Sequence, residues 1–112
     1  MRETTWLTLT ALAGTDRLHG YGITREVASL SGGRVQLLAG TLYAMLDRLA
    51  REGLVEAVGD EVVGGRLRRY YLLTATGRGV LAEEAERRAR VSAEALRRLS
   101  VVGGRTFAGG LA

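Results

Sequence analysis

Residues 40–55 read GTLYAMLDRLAREGLV, and their spacing decides the fold. Leu42, Met45, Leu46 and Leu49 recur at three and four residues, which puts them on one face of a helix. The opposite face carries Thr41, Tyr43, Ala44, Asp47, Arg48 and Arg51. Gly40 opens the helix with Thr41 as the expected N-cap. Gly53 closes it as a C′ glycine, and Leu54 and Val55 then turn to strand character. A helix with an apolar inner side and an outer side of Thr, Tyr and Arg suits a groove of DNA. The same pattern also describes an ordinary amphipathic helix, so the choice depends on what flanks it.

Upstream, Trp6 to Ala13 reads as a first helix, with Trp6, Leu9 and Ala13 on one face and Thr4 or Thr5 as its N-cap. A turn over residues 14–18 leads through LHGYGI, residues 18–23, into a second helix carried by Ile23, Val27 and Leu30 and stopped by Gly32 and Gly33. His19 is expected to cap or pack at the start of that helix; a titrating switch is its alternative reading. Residues 34–39 connect to the central helix.

Downstream, residues 54–58 and 67–73 read as two strands. GDEVVGG, residues 59–65, is expected to be a flexible hairpin tip carrying Asp60 and Glu61. In the second strand Arg66 and Arg68 point to one side, and Leu67 and Arg69 to the other. At least one of these arginines is expected to be structural, paired with Glu56 across the hairpin. Tyr70 and Tyr71 read as packing at the hairpin base.

Thr74 caps a final helix. Leu81, Ala85, Ala89, Ser92, Leu96 and Leu99 step along it by three and four as an apolar seam, narrow in its middle. The other faces mix glutamate with arginine and read as solvated. The tail, 102–112, is glycine-rich and is expected to be disordered.

Helix, helix, helix, hairpin and long helix is the order of a winged helix-turn-helix with a C-terminal dimerisation helix: mainly α with a small β-hairpin. The expected divisions are a DNA-binding domain over 1–73, the dimerisation helix over 74–101 and the tail. In such a domain the third helix enters the major groove and the wing lies along the phosphates. The seam calls for a partner, and a second copy of the same helix is the simplest one.

Composition agrees. The chain has 112 residues, a net charge of +4 and no lysine: all sixteen cations are arginines, whose planar fork suits phosphate. There is no cysteine and one histidine, so thiolate or polyhistidine metal sites are excluded and no cofactor is expected. No apolar run approaches the ~20 residues that span a bilayer, and no signal peptide is evident, so a soluble cytoplasmic protein is expected. An enzyme would need a nucleophile–base pair, a metal cluster or a phosphate loop, and the chain presents none.

LHGYGI at 18–23, GTLYAMLDRLAREGLV at 40–55 and RRYYLLTATGRGVL at 68–81 resemble, in this order and spacing, the PadR family of transcriptional regulators, most closely its smaller members with one C-terminal helix. The resemblance implies a homodimeric repressor that reads a palindromic operator in double-stranded DNA and is released by a small aromatic or hydrophobic effector. It gives Tyr43 a place near backbone phosphate and makes Arg68 and Arg69 basic wing residues. Two departures stand out. Ala44 follows the LY pair where the family usually has proline, and Gly22 stands where a larger residue is common.

The expected DNA-facing set is therefore Tyr21, Arg34, Gln36, Thr41, Tyr43, Ala44, Arg48, Arg66, Arg68 and Arg69. The bland readings beside it are an exposed tyrosine for Tyr43, a loop residue for Gln36, and for Arg48 an ion pair with Asp47 or Glu52. Trp6 joins the expected dimer interface with the seam residues, its alternative being plain core. A rival to DNA binding is a winged helix that docks a protein, supported by the acidic wing tip.

Overall fold

In a computed structural model, residues 1–107 are described, with side chains through Val102. The order is α1 (Glu3–Ala13), β1 (Leu18–His19), α2 (Gly20–Leu30), α3 (Ala39–Arg51), β2 (Val55–Val63), β3 (Arg66–Leu73) and α4 (Ala75–Phe107). The chain divides into two units, Met1–Leu81 and the residues from Ala82 onward. The first unit thus takes in the opening turns of α4.

The core of the first unit forms where the spacing put it. Leu42, Met45, Leu46 and Leu49 are the buried residues of α3, and its six polar-side residues are all exposed. They pack with Leu9 and Leu12 from α1, Ile23 and Val27 from α2, and Val55, Tyr71 and Leu73 from the sheet. Each fully buried leucine or isoleucine contributes about 1.5–3 kcal/mol relative to exposure. Trp6 and Leu81 are half-buried and pack against this same core. Leu30, expected on the inner face of α2, is exposed.

Gly53 closes α3 as expected. At φ +77° it turns the chain, so that Leu54 N–H reaches the Leu49 carbonyl at 2.9 Å and Gly53 N–H the Ala50 carbonyl at 3.0 Å. This double bond satisfies the last orphan carbonyls of the helix. The start of α3 differs. Leu38 is the N-cap, without a side-chain bond, and Thr41 lies inside the first turn. The helix begins earlier because Leu42 N–H bonds the Leu38 carbonyl at 2.9 Å.

Three strands form an antiparallel sheet in the order β1-β3-β2, so the expected hairpin gains a third strand of two residues. Leu18 pairs with Tyr71 and His19 with Tyr70. The hairpin tip is also corrected. A bulge between Ala57 and Gly59 lets β2 run on to Val63, and the turn is only Gly64 and Gly65, at φ +59° and +78°. Positive φ at both positions is what a tight two-residue hairpin needs. Asp60 and Glu61 are therefore not at the tip but mid-strand, opposite Arg69 and Arg68.

Thr74 caps α4 as expected: its hydroxyl accepts from Gly77 N–H at 2.9 Å and donates to the Gly53 carbonyl at 2.7 Å. The helix does not stop near residue 101 but is continuous through Phe107; of the expected disordered tail, residues 108–112 lie outside the described residues. Ion pairs run along it. Arg87 and Arg88 each donate to Glu84 at 2.8 Å and hold its carboxyl at about 2, well below the ordinary carboxylate range. Arg97 and Arg98 do the same for Glu94, whose pKa is likewise lowered.

Candidate nucleic-acid interface

The N-terminus of α2, the first turn of α3 and the wing meet at one cleft of about 330 Å³. His19, Gly20, Tyr21, Tyr43, Arg66, Leu67 and Arg68 line it. Tyr43 projects from α3 and stays 40% exposed, with its hydroxyl against Gly20. A methyl group at Gly20 would overlap that hydroxyl and lie 2.8 Å from the ring carbon bearing it, so only glycine lets the tyrosine lie there. Tyr21 is 64% exposed and carries the Arg25 guanidinium 5.8 Å from its ring centre.

Alternation along β3 separates the arginines, although Leu67, expected on the side of Arg69, also borders the cleft. Arg66 and Arg68 line the cleft. Arg69 faces away and binds Asp60 at 3.2 Å, which raises its pKa. The structural arginine is thus Arg69, and its partner is Asp60 rather than Glu56, which lies opposite Leu72 in the ladder. Glu61 is drawn toward Tyr70, whose hydroxyl donates to it at 3.4 Å. Asp60 and Glu61 are thus both bonded within the wing.

The remaining candidates are spread over the outer face. Arg48 makes the bland contact: it bonds Glu52 at 3.3 Å, and also the Thr5 hydroxyl at 3.2 Å. Arg34 forks onto Glu3, with one N–H···O contact of 2.9 Å, and this pairing raises its pKa. Both pairs are exposed, so water and salt screen them and they hold little energy against a competing phosphate. The Gln36 amide donates to the Gly33 carbonyl at 3.2 Å. Thr41 and Ala44 are exposed in the first half of α3.

Three members of the cleft, Gly20, His19 and Leu67, lie outside the expected set. Gly20 acts through the space it leaves, which no pattern reveals. His19 enters as the N-cap of α2, its Nδ1 accepting from Gly22 N–H at 3.1 Å; the capping was expected, the place in the cleft was not. Among the described residues no group of three acidic, histidine or cysteine side chains could hold a metal, and no helix is long and apolar enough to cross a membrane.

A family model, Transcriptional regulator PadR-like family, matches residues 9–83, from α1 through the start of α4. The chain belongs to the PadR family. A transcriptional regulator of Mycobacterium tuberculosis is 41% identical to it over 98 residues, 88% of this chain and 82% of that protein. An uncharacterized protein of Lysinibacillus sphaericus is 34% identical over 65 residues, 58% of this chain and 60% of the other, so the chain spans less than two thirds of that relative. Among solved structures, a PadR family regulator from Clostridium difficile superposes with a TM-score of 0.62 at 25% identity, covering 88% of this chain and 98% of that one. PadR of Bacillus subtilis, solved in complex with operator DNA, has a TM-score of 0.65 at 24% identity over 75% of this chain and 48% of that chain, about half its length. The fold of this PadR regulator is accordingly a winged helix with a long C-terminal helix, and the hairpin β2–β3 is its wing.

Proposed function

We propose that this PadR regulator is a homodimeric repressor, cytoplasmic and without enzymatic activity, that binds a palindromic operator and is released by a small aromatic or hydrophobic effector. The observation that carries the DNA-binding part is the convergence of Tyr43 on α3 with Arg66 and Arg68 on the wing at one open, basic cleft. Phosphate held there would seat the outer face of α3 in the major groove, with Thr41, Ala44 and Arg48 toward base edges and Tyr21, Arg34 and Gln36 along the flank. Support also comes from the Bacillus subtilis relative, which was solved on its operator. The rival reading, a protein-docking wing, loses its main argument because Asp60 and Glu61 are mid-strand and matched to Arg69 and Arg68. The effector follows from family membership alone.

The dimer rests on α4. Leu96 and Leu99 are 68% exposed on it, and Ala89 and Ser92 are exposed on the same seam. Such a stripe calls for cover, and a second α4 supplies it with the same knobs. Trp6 and Leu81 instead pack on the core of the first unit, which for Trp6 is the alternative reading. Replacing Leu96 with arginine should convert a dimer into a monomer in sedimentation and abolish tight operator binding. A parent that sediments as a monomer yet binds its operator tightly would refute the dimer.

A second test addresses Tyr43. Gly20→Ala leaves the core untouched and displaces the tyrosine. The variant should melt close to the parent but bind DNA several-fold more weakly, by about one lost charge-assisted hydrogen bond. Unchanged affinity would remove Tyr43 from the interface.

A further inference from the structure

His19 and Arg68 face each other at the cleft. Because His19 Nδ1 accepts from Gly22 N–H, a neutral imidazole must carry its proton on Nε2. Burial and then the charge of Arg68 lower the pKa of the ring, against the opposing pull of Glu61. Arg68 Nη1 lies 3.3 Å from that same Nε2. A guanidinium only donates. An Nε2–H and an arginine N–H therefore converge with no acceptor between them. Tyr21 lies parallel to the ring at 6.3 Å and Tyr70 meets it edge-on at 5.4 Å.

An oxyanion at this point would satisfy both donors. Arg66 and the Tyr43 hydroxyl line the same cleft, and the N-terminus of α2 opens beside it, adding a favourable dipole. We propose that His19 is a phosphate-binding residue: its Nε2–H and Arg68 together grip one backbone phosphate oxygen of the operator. This rests on the DNA-binding reading above and adds to it a neutral donor of fixed tautomer. Capping α2 is what orients that donor, so one side chain both starts the helix and presents the N–H.

The test uses the full-length protein and a duplex from its own upstream region. His19→Asn keeps a good cap acceptor for Gly22 but lacks the outer N–H. It should melt with the parent and bind about tenfold more weakly. His19→Asp, which also caps, should bind more weakly still, because it sets a carboxylate against the phosphate. Methylphosphonate substitution, one phosphate at a time, should reveal a position that costs the parent affinity but costs His19→Asn no more. Nitrogen-15 spectra of the free protein should show the Nε2–H tautomer. Asparagine and aspartate variants that both bind like the parent, or an Nδ1–H tautomer, would overturn the proposal while leaving the parent's binding, and the repressor reading, intact. A parent that does not bind the duplex would take both down.

Discussion

Gly77→Ala should destabilise the first unit by about 2 kcal/mol or more, while Gly79→Ala, two residues on in the same helix, should be neutral or stabilising by up to about 1 kcal/mol. Nothing lies within 4 Å of a methyl group built at Gly79. At Gly77 the same methyl would collide with the Leu54 carbonyl oxygen and come within 2.7 Å of Leu73 Cδ1. That carbonyl has no freedom to move. It accepts from Thr74 N–H at 3.1 Å, while Leu54 N–H is committed to the end of α3 at 2.9 Å. Relief of the clash must break the junction at which α3, β3 and α4 are tied by Thr74. Overpacking against side chains typically costs ~1–3 kcal/mol, and a fixed peptide group yields less than a side chain. The gain in helix preference on replacing glycine, up to ~1 kcal/mol, offsets only part of this. Urea denaturation of the two variants measures the contrast; equal midpoints would show that the junction gives way more easily than its bonding implies.

The second large effect is on DNA. Arg68→Ala should weaken binding about tenfold near 0.1 M salt, for specific and non-specific duplexes alike, and lower the slope of log affinity against log salt by about one. Arg69→Ala, one residue along, should change both only slightly, because its guanidinium faces away and is bonded to Asp60. The pair of variants separates a local contact from net charge, since each removes one positive charge. Affinity measured across a salt series decides: equal losses would mean that the wing acts through overall charge and not through the cleft.

Much of this architecture is legible in the chain because local rules and burial agree. The four apolar residues of α3, the C′ glycine at 53 and the Thr74 cap all stand where spacing and backbone chemistry put them. β1 escapes because two residues show no period, and its strand character comes from pairing with Tyr70 and Tyr71. The wing tip differs from the expected one because Gly59 reads as the edge of a turn, whereas a bulge absorbs it and returns the next residues to the ladder. That slip moved Asp60 and Glu61 from a tip, where they would repel phosphate, to positions opposite arginines. The arginine side of the interface was visible in outline only. Arg34 is held by Glu3 across 31 residues of chain, beyond any local pattern, and Arg69 is held by Asp60 and not Glu56 because the bulge resets the register of the hairpin. Gly20 is invisible for a different reason, since its role is the absence of a side chain beneath Tyr43.

The most direct test of the central claim, that paired wings and α3 helices of two copies fit one duplex, is a footprint on the protein's own upstream DNA. The account predicts two protected half-sites related by a dyad, their centres about one helical turn or ~34 Å apart, and loss of both together in Leu96→Arg. Protection of a single unrepeated half-site by a monomer, or no protection anywhere in that region, would contradict it.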